Sequence, residues 1–248
     1  MNVSAQWFRP RAISVGVWLA VAILSVWAVG TLANFLIHYV IAVPESDVVT
    51  FLNRFDLGHE PSIPAYFSAL LILASAVMLA FLAQTDQHPQ RPHRLNWAFL
   101  AVVMLALSID EVVMFHEMGN AMMQMTAMGD WLYFAWVIPG GCVALVVALI
   151  NVRFLLRLPR RTGKLMILAG AVFVAGAVGM ELVASVIFSA AEDEIAAQAT
   201  LSHIASQSVE ELLEMIGTGI FLFALFDYIE SSGLRVCFQY DLFGNENG

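Results

Sequence analysis

The sequence predicts an all-α, polytopic membrane protein built as a bundle of six membrane-spanning helices, and three observations support this. Of the residues, 60% are hydrophobic and only 12% are charged, a balance that soluble domains do not show. The apolar residues form six long runs, each matching the roughly 20 residues that cross the hydrocarbon layer as a helix. The basic residues fall in alternate loops, as they do in proteins that cross a membrane repeatedly.

The predicted spans cover residues 13–41, 62–83, 96–117, 131–152, 165–189 and 208–229. The first run is too long for the apolar core of a cleavable signal, which is roughly 7–15 residues, so we expect this span to be retained. No long linker or low-complexity segment interrupts the chain. We therefore expect residues 1–248 to form a single integral membrane domain.

The basic residues predict the orientation. Ten of the 11 lie before span 1, between spans 2 and 3, between spans 4 and 5, or after span 6, and only Arg54 lies in a loop of the other set. Because short cytoplasmic loops retain Lys and Arg, both termini are predicted to be cytoplasmic. The expected host is a bacterial inner membrane. The lipid bilayer is thus the first predicted partner, and other membrane proteins or further copies of the chain are candidates.

Two smaller features are predicted along the chain. In the first outer loop, apolar residues at helical spacing predict a short helix over 46–57 that lies in the membrane interface. In the fourth span, Pro139-Gly140-Gly141 predicts a kink. Cys142 lies inside a span and Cys237 lies in the cytoplasmic tail, so no disulfide between them is expected.

The charge distribution excludes one class of function. The formal net charge is −9, and the basic residues form no patch beyond those that orient the spans. Because nucleic-acid binding depends on neutralising phosphates with Lys and Arg, we expect no nucleic-acid partner.

Three carboxylates are predicted to lie at one depth in the membrane. At 1.5 Å per residue, Asp110 in span 3 and Glu181 in span 5 both lie on the order of 12 Å from the outer ends of their helices. Glu214 in span 6 lies slightly nearer its outer end. His116, Glu117 and Glu210 are placed above them, and Glu111 is adjacent to Asp110 but turned away by about 100°.

Placing these carboxylates in the membrane costs free energy, and another interaction must offset that cost. An acidic residue at the middle of a membrane helix costs about 2.5–3.5 kcal/mol on insertion scales, and no Lys or Arg lies in any predicted span. Protonation, hydrogen bonds, a water-filled cavity or a bound cation could offset the cost. The absence of a basic partner favours protons or a metal ion.

Each acidic residue also has a purely structural interpretation. Ser208 to Glu211 has the form of a capping box, with Ser208 as the N-cap of span 6. His116 and Glu117 could be the hydrated end of span 3, and the deeper carboxylates could be polar contacts between helices. Asn34 and His38 lie one turn apart in span 1 and either complete the pocket or are structural.

Carboxylates and a histidine that converge from several helices are the ligands of di-iron and di-manganese sites, and such donors suit iron, manganese or zinc. We therefore predict a membrane metalloprotein that acts as an enzyme, either a hydrolase or an oxidoreductase, on a lipid-soluble or outer-side substrate. The predicted metal ligands are Asp110, His116, Glu117, Glu181 and Glu214. Glu111 and Glu210 are predicted as catalytic proton acceptors.

Three alternatives remain open from the sequence. The same carboxylates could couple the transport of protons or divalent cations. Met114, Met118, Met122 and Met125 continue one helical stripe, and because thioethers favour Cu(I), a copper-handling role is a narrower alternative. The chain could also be a non-catalytic assembly or sensory subunit.

Overall fold

The structure, a computed structural model, confirms the predicted class of a six-span membrane protein. It describes residues 12–41, 46–59, 61–85, 93–125, 133–190, 197 and 200–232. Every regular element in these ranges is helical. Six helical segments of 19 to 31 residues are long and apolar enough to cross a membrane.

The helices are numbered in chain order. They are α1 (Ala12–Tyr39), α2 (Asp47–Leu52), α3 (Ile63–Thr85), α4 (Arg94–Val113), α5 (Phe115–Gln124), α6 (Val137–Leu155), α7 (Arg160–Val174), α8 (Glu181–Ala190) and α9 (Leu201–Ser231). A π-helical segment, Ala175–Met180, joins α7 to α8. The fifth span consists of α7, the π segment and α8 together.

The short helix predicted over 46–57 is present as α2, which ends at Leu52. Ser46 is its N-cap, and the Ser46 hydroxyl accepts a hydrogen bond from the Val49 N–H. Such a cap satisfies one of the N–H groups that the first turn leaves without a partner. The chain then turns, and the Ile63 N–H bonds to the Arg54 carbonyl before α3 begins.

Helix α9 lies at the centre of the bundle. It packs against α1, α3, α7, the π segment and α8, while α3 and α4 pair closely with each other. At one end of α9 the Trp27 indole donates to Ser208, and at the other the Ala12 N–H donates to Glu230. We call the end of the bundle that holds Asp110, Glu181 and Glu214 the acidic end. The opposite end, which holds Arg153 to Lys164, is the basic end.

The core is densest at the basic end. Trp97 is fully buried there. The centroid of its ring lies 4.7 Å from the Phe154 ring centroid and 5.3 Å from the Tyr228 ring centroid. Leu79, Leu82 and Leu225 join the same cluster. Outside the core, many large apolar side chains are exposed along α1, α4 and α6. In a chain with six such spans, these surfaces contact the lipid bilayer.

Candidate functional site

Asp110 lies at a sharp corner between α4 and α5. Helix α4 ends at Val113, and Met114 adopts a left-handed conformation with φ 59° and ψ 42° before α5 begins at Phe115. The Asp110 carboxylate accepts a hydrogen bond from the His116 N–H at 3.1 Å, and its other oxygen lies 3.0 Å from His116 Nδ1. Asp110 therefore holds both the first turn of α5 and the imidazole of His116.

This corner differs from the prediction of one continuous helix from 96 to 117. Because of the break at Met114, Asp110 and Glu117 lie on two different helices and not on one face of a continuous helix. Glu117 instead lies in the first turn of α5, where it is exposed and where a negative charge is favoured by the helix dipole. The sequence showed no glycine or proline at the break to signal it.

Glu181 lies at the start of α8, directly after the π segment. Its Oε1 accepts a hydrogen bond from the Trp136 indole at 3.3 Å. Its Oε2 is buried and has no hydrogen-bond partner within the described residues. The Trp136 ring also lies 5.3 Å from the His116 ring, so Trp136 connects the corner at Asp110 to Glu181.

Trp136 acquires a role that the sequence did not indicate. From the sequence alone, a tryptophan near the end of a span is explained as an interfacial residue or by packing. Gly140, in the first turn of α6, makes room for the ring, since an added Cβ there would lie 2.5 Å from the Trp136 side chain. The kink predicted at Pro139-Gly140-Gly141 assumed that these residues lie inside a helix. Helix α6 begins only at Val137, so Pro139 lies in its first turn, where a proline breaks no helical hydrogen bond.

The π segment brings α8 close to α9. At Gly176, which is buried, an added Cβ would lie 2.9 Å from both the Glu210 carbonyl oxygen and Glu214 Cγ. Only glycine allows backbones to approach this closely without displacement. π-helical insertions are rare in proteins, and those that occur are often found at functional sites. This one precedes Glu181 and lies against the turn of α9 that carries Glu210 and Glu214.

Helix α9 begins earlier than predicted, and this overturns the capping-box interpretation. Its N-cap is Thr200, whose hydroxyl accepts from the His203 N–H at 3.1 Å. Ser208 lies inside the helix, and its hydroxyl instead contacts Thr31 at 2.6 Å. Glu210 and Glu211 are therefore in the third turn of α9, where no terminal N–H groups are available to explain them.

The predicted residues lie close enough to interact electrostatically. Glu181 interacts with His116 and Glu117, and Glu210 interacts with Glu181 and His116. Glu214 interacts with four other carboxylates: Glu111, Glu181, Glu210 and Glu211. Within the described residues, none of Glu181, Glu210 and Glu214 forms an ion pair with Lys or Arg. We call Asp110, Glu111, His116, Glu117, Glu181, Glu210, Glu211 and Glu214 the acidic cluster.

The cluster does not present a ready ligand shell. In the part of the chain that the structure describes, no three His, Cys, Asp or Glu side chains are placed together so that they could hold a metal ion. The five predicted metal ligands and the two predicted catalytic residues stay predictions. Their side chains would have to turn toward a common point to coordinate an ion.

Asn34 and His38 belong to a separate polar contact. The Asn34 amide donates to the buried carboxylate of Asp56 at 2.7 Å, and the same carboxylate accepts from the Gly58 N–H. This contact ties α1 to the loop that follows α2. His38 interacts electrostatically with His203 rather than with the acidic cluster, which favours the structural interpretation of both residues.

Residues 13–229 match the family described as "Domain of unknown function (DUF8692)", and because this covers most of the chain, the chain belongs to that family. No curated protein and no solved structure matches the chain.

Proposed function

We propose that this member of the family is an integral membrane metalloprotein whose acidic cluster binds a divalent metal ion. The observation that carries the proposal is the buried, unpartnered Oε2 of Glu181. It belongs to a carboxylate that interacts electrostatically with Glu210 and pairs with no Lys or Arg of the described chain. A carboxylate in such surroundings is stabilised by a cation or a proton.

The donor set supports a hard or borderline metal. Carboxylate oxygens with one imidazole suit iron, manganese or zinc, and His116 is already oriented by its contact with Asp110. Asp110, His116, Glu117, Glu181 and Glu214 are the proposed ligands, and Glu111 and Glu210 are the proposed proton acceptors. A metal with an open position would polarise water or another small ligand there, which is the basis for proposing a hydrolase or oxidoreductase.

The exposed face of α5 supports a substrate that approaches from lipid. Phe115, Met118 and Met122 are 55%, 60% and 71% exposed, while His116 on the same helix contacts Asp110 of the cluster. An apolar molecule that follows this face would reach the cluster from the side. The exposure of these methionines also favours lipid contact over copper coordination as their role.

Metal content tests the proposal directly. We expect the purified protein to retain iron, manganese or zinc in a fixed ratio, and Glu181→Gln to lose most of it. Asp47→Asn is the matched control, because Asp47 is an exposed carboxylate in α2 and is not part of the acidic cluster. This variant should leave the metal content unchanged. Metal-free wild-type protein, or equal metal in all three, would contradict the proposal.

Proton- or divalent-cation-coupled transport is the second candidate. It is favoured by the lack of a ready group of three ligands in the described structure, since protons need no such group. Against it, the twelve residues of α9 between Glu214 and Asp227 include no ionisable side chain. Flux of protons or cations into vesicles that contain the purified, metal-free protein, abolished by Glu214→Gln, would favour transport over the enzyme.

We also propose a bacterial inner membrane as the location, with both termini in the cytoplasm. The support is the accumulation of Arg and Lys at the basic end, where α1 begins and α9 ends. Reporter fusions after residue 248 and in the loop before α6 test this. The first should be active only as a cytoplasmic reporter and the second only as an external one, and the reverse pattern would contradict the orientation.

A further inference from the structure

A second charged surface lies at the basic end, far along the helices from the acidic cluster. The segment from Asn151 to Lys164, which closes the turn between α6 and α7, contains five basic residues and no acidic one. All five are exposed: Arg153, Arg157, Arg160, Arg161 and Lys164. The acidic groups on α9 at this end are Asp227, which is mostly buried beside Arg161, and Glu230, which bonds to the Ala12 N–H.

The turn that carries these residues is rigid. Only residues 156–159 separate α6 from α7. Phe154 near the end of α6 and Leu158 within the turn are both buried in the core. At Gly163 an added Cβ would lie 2.5 Å from the Leu155 carbonyl oxygen, so the two helices meet closely. The basic side chains therefore project from a backbone in fixed positions.

The charges at the start of α7 are not explained by the stability of that helix. A helix N-terminus carries a partial positive charge and favours acidic residues, yet the first turns of α7 hold Arg160, Arg161 and Lys164, with no acidic residue and no side-chain cap. Asp227 offsets Arg161 at 3.3 Å. Neither Arg160 nor Lys164 forms an ion pair in the described structure, so an external anion would stabilise this end.

Exposed leucines lie beside the basic residues. Leu156 in the turn is 72% exposed, and Leu95 at the start of α4 is 81% exposed. The start of α4 lies against the end of α6, where the Asn96 amide donates to Asn151 at 3.3 Å. A soluble anion would contact only the basic groups. A ligand with both a phosphate and acyl chains would contact the leucines as well.

We propose that this surface, formed by Arg153, Leu156, Arg157, Arg160, Lys164, Arg94 and Leu95, binds the headgroups of anionic phospholipids. The phosphates lie against the basic side chains and the free N–H groups of the first turn of α7, and the two leucines enter the acyl region. The inference is independent of the acidic cluster. It goes beyond the retention of basic loops during insertion, because it requires the folded protein to select among lipids.

Lipid competition tests the proposal. The purified full-length protein in non-ionic detergent is titrated with phosphatidylglycerol or phosphatidylcholine, and bound lipids are counted by native mass spectrometry. We expect a preference for phosphatidylglycerol that weakens as salt is raised. Each basic side chain near a lipid surface contributes on the order of fivefold in binding, so Arg157→Gln/Arg160→Gln/Lys164→Gln should reduce the preference by at least about tenfold.

Two control variants separate charge from folding. Arg157→Lys/Arg160→Lys keeps the charge and should keep most of the preference. Arg54→Gln removes an exposed charge from the other end of the bundle and should change nothing. Arg161 is left intact because it pairs with Asp227 and lies over the Phe223 ring.

Three results would overturn the proposal. Equal binding of the two lipids by the wild type would show no selection, and this reading does not depend on any variant being folded. An unchanged preference in the triple variant would place the selection elsewhere. Displacement of phosphatidylglycerol by inorganic phosphate, but not by chloride at the same ionic strength, would show that the surface recognises a soluble anion rather than a lipid.

Discussion

Met114 shows how one residue shapes the candidate site. Its left-handed conformation ends α4 and starts α5 within a single residue, so that the imidazole and N–H of His116 both reach the Asp110 carboxylate. Such a conformation costs about 1–2 kcal/mol for a residue with a Cβ, and it persists where the surroundings hold it. The contacts of Asp110 supply that hold.

Replacement of Met114 tests the strain. We expect Met114→Gly to raise the stability of the protein by roughly 0.5–1 kcal/mol, because glycine adopts positive φ without a steric penalty. Met118→Gly, on the exposed face of regular α5, should instead lower it by a similar amount. The measurement is the unfolding midpoint in detergent. A Met114→Gly protein that is less stable than Met118→Gly would show that the left-handed turn is not strained.

Substitution of Glu214 distinguishes a metal-binding site from a structural contact between helices. Glu214 lies among four neighbouring carboxylates, and without a cation a proton would neutralise it. Glu214→Gln, which is neutral and of similar size, should therefore change the stability of the cation-free protein by less than about 0.5 kcal/mol while it abolishes metal binding. If Glu214 only bridged helices, the same change would destabilise the protein. Unfolding in the presence of a chelator decides between the two, with Asp47→Asn expected to stay within about 0.5 kcal/mol of the wild type.

At the residue scale the sequence predicted some of the site and missed the rest. The regular rise of an α-helix was enough to place Glu181 near Glu210 and Glu214, and the structure finds them interacting. The bond from Trp136 to Glu181 could not be predicted, since it depends on where α6 begins relative to α8. Depth along a helix follows from counting residues, whereas contact across helices depends on packing.

At the element scale the decisive feature is the π segment between α7 and α8. A π segment inserts an extra residue into a helix and so shifts the face of every residue that follows. The regular helical spacing of α7 therefore does not predict the direction in which Glu181 points. Gly176 lies in this segment and lets it press against α9. The segment thus sets both the direction of Glu181 and its distance from Glu210 and Glu214.

Two glycines of the π segment form a matched pair for testing this contact. Gly176→Ala should separate α8 from α9 and destabilise the protein by about 1–3 kcal/mol, because the new Cβ meets the Glu210 backbone oxygen at 2.9 Å. Gly179→Ala should be tolerated, since nothing lies within 4 Å of its added Cβ. The comparison uses unfolding midpoints and metal content together. Equal effects of the two substitutions would contradict the proposed close approach.

The ends of elements were harder to predict than their existence. Six spans follow from apolar length alone, but α9 begins at Leu201 because Thr200 caps it, seven residues before the Ser208 that the capping pattern favoured. Ser208 is occupied by Thr31 and Trp27 of α1, a long-range contact with no local signature. Tertiary hydrogen bonds therefore decided which of two suitable hydroxyl groups became the cap.

At the scale of the whole molecule, opposite charges are separated to the two ends of one helical bundle. The central helix α9 connects them: Glu210 and Glu214 lie toward one end, and Asp227 meets Arg161 at the other. Between them α9 is apolar, and Leu222, Ala224 and Leu225 are buried in the core. The ionisable residues of α9 near the acidic end thus have no continuation between Glu214 and Asp227, which is why we favour a reaction site over a transport pathway.

Binding of Mn²⁺ to the metal-free protein, followed by electron paramagnetic resonance, tests whether the acidic cluster is a metal site. We expect saturable binding of Mn²⁺ by the wild type and by Asp47→Asn, and loss of this binding in Glu181→Gln/Glu214→Gln. The double variant should remain folded, because glutamine is close in size to glutamate and carries no charge that would need a partner. Absence of saturable binding by the wild type, or unchanged binding by the double variant, would contradict the assignment of the acidic cluster as a metal site.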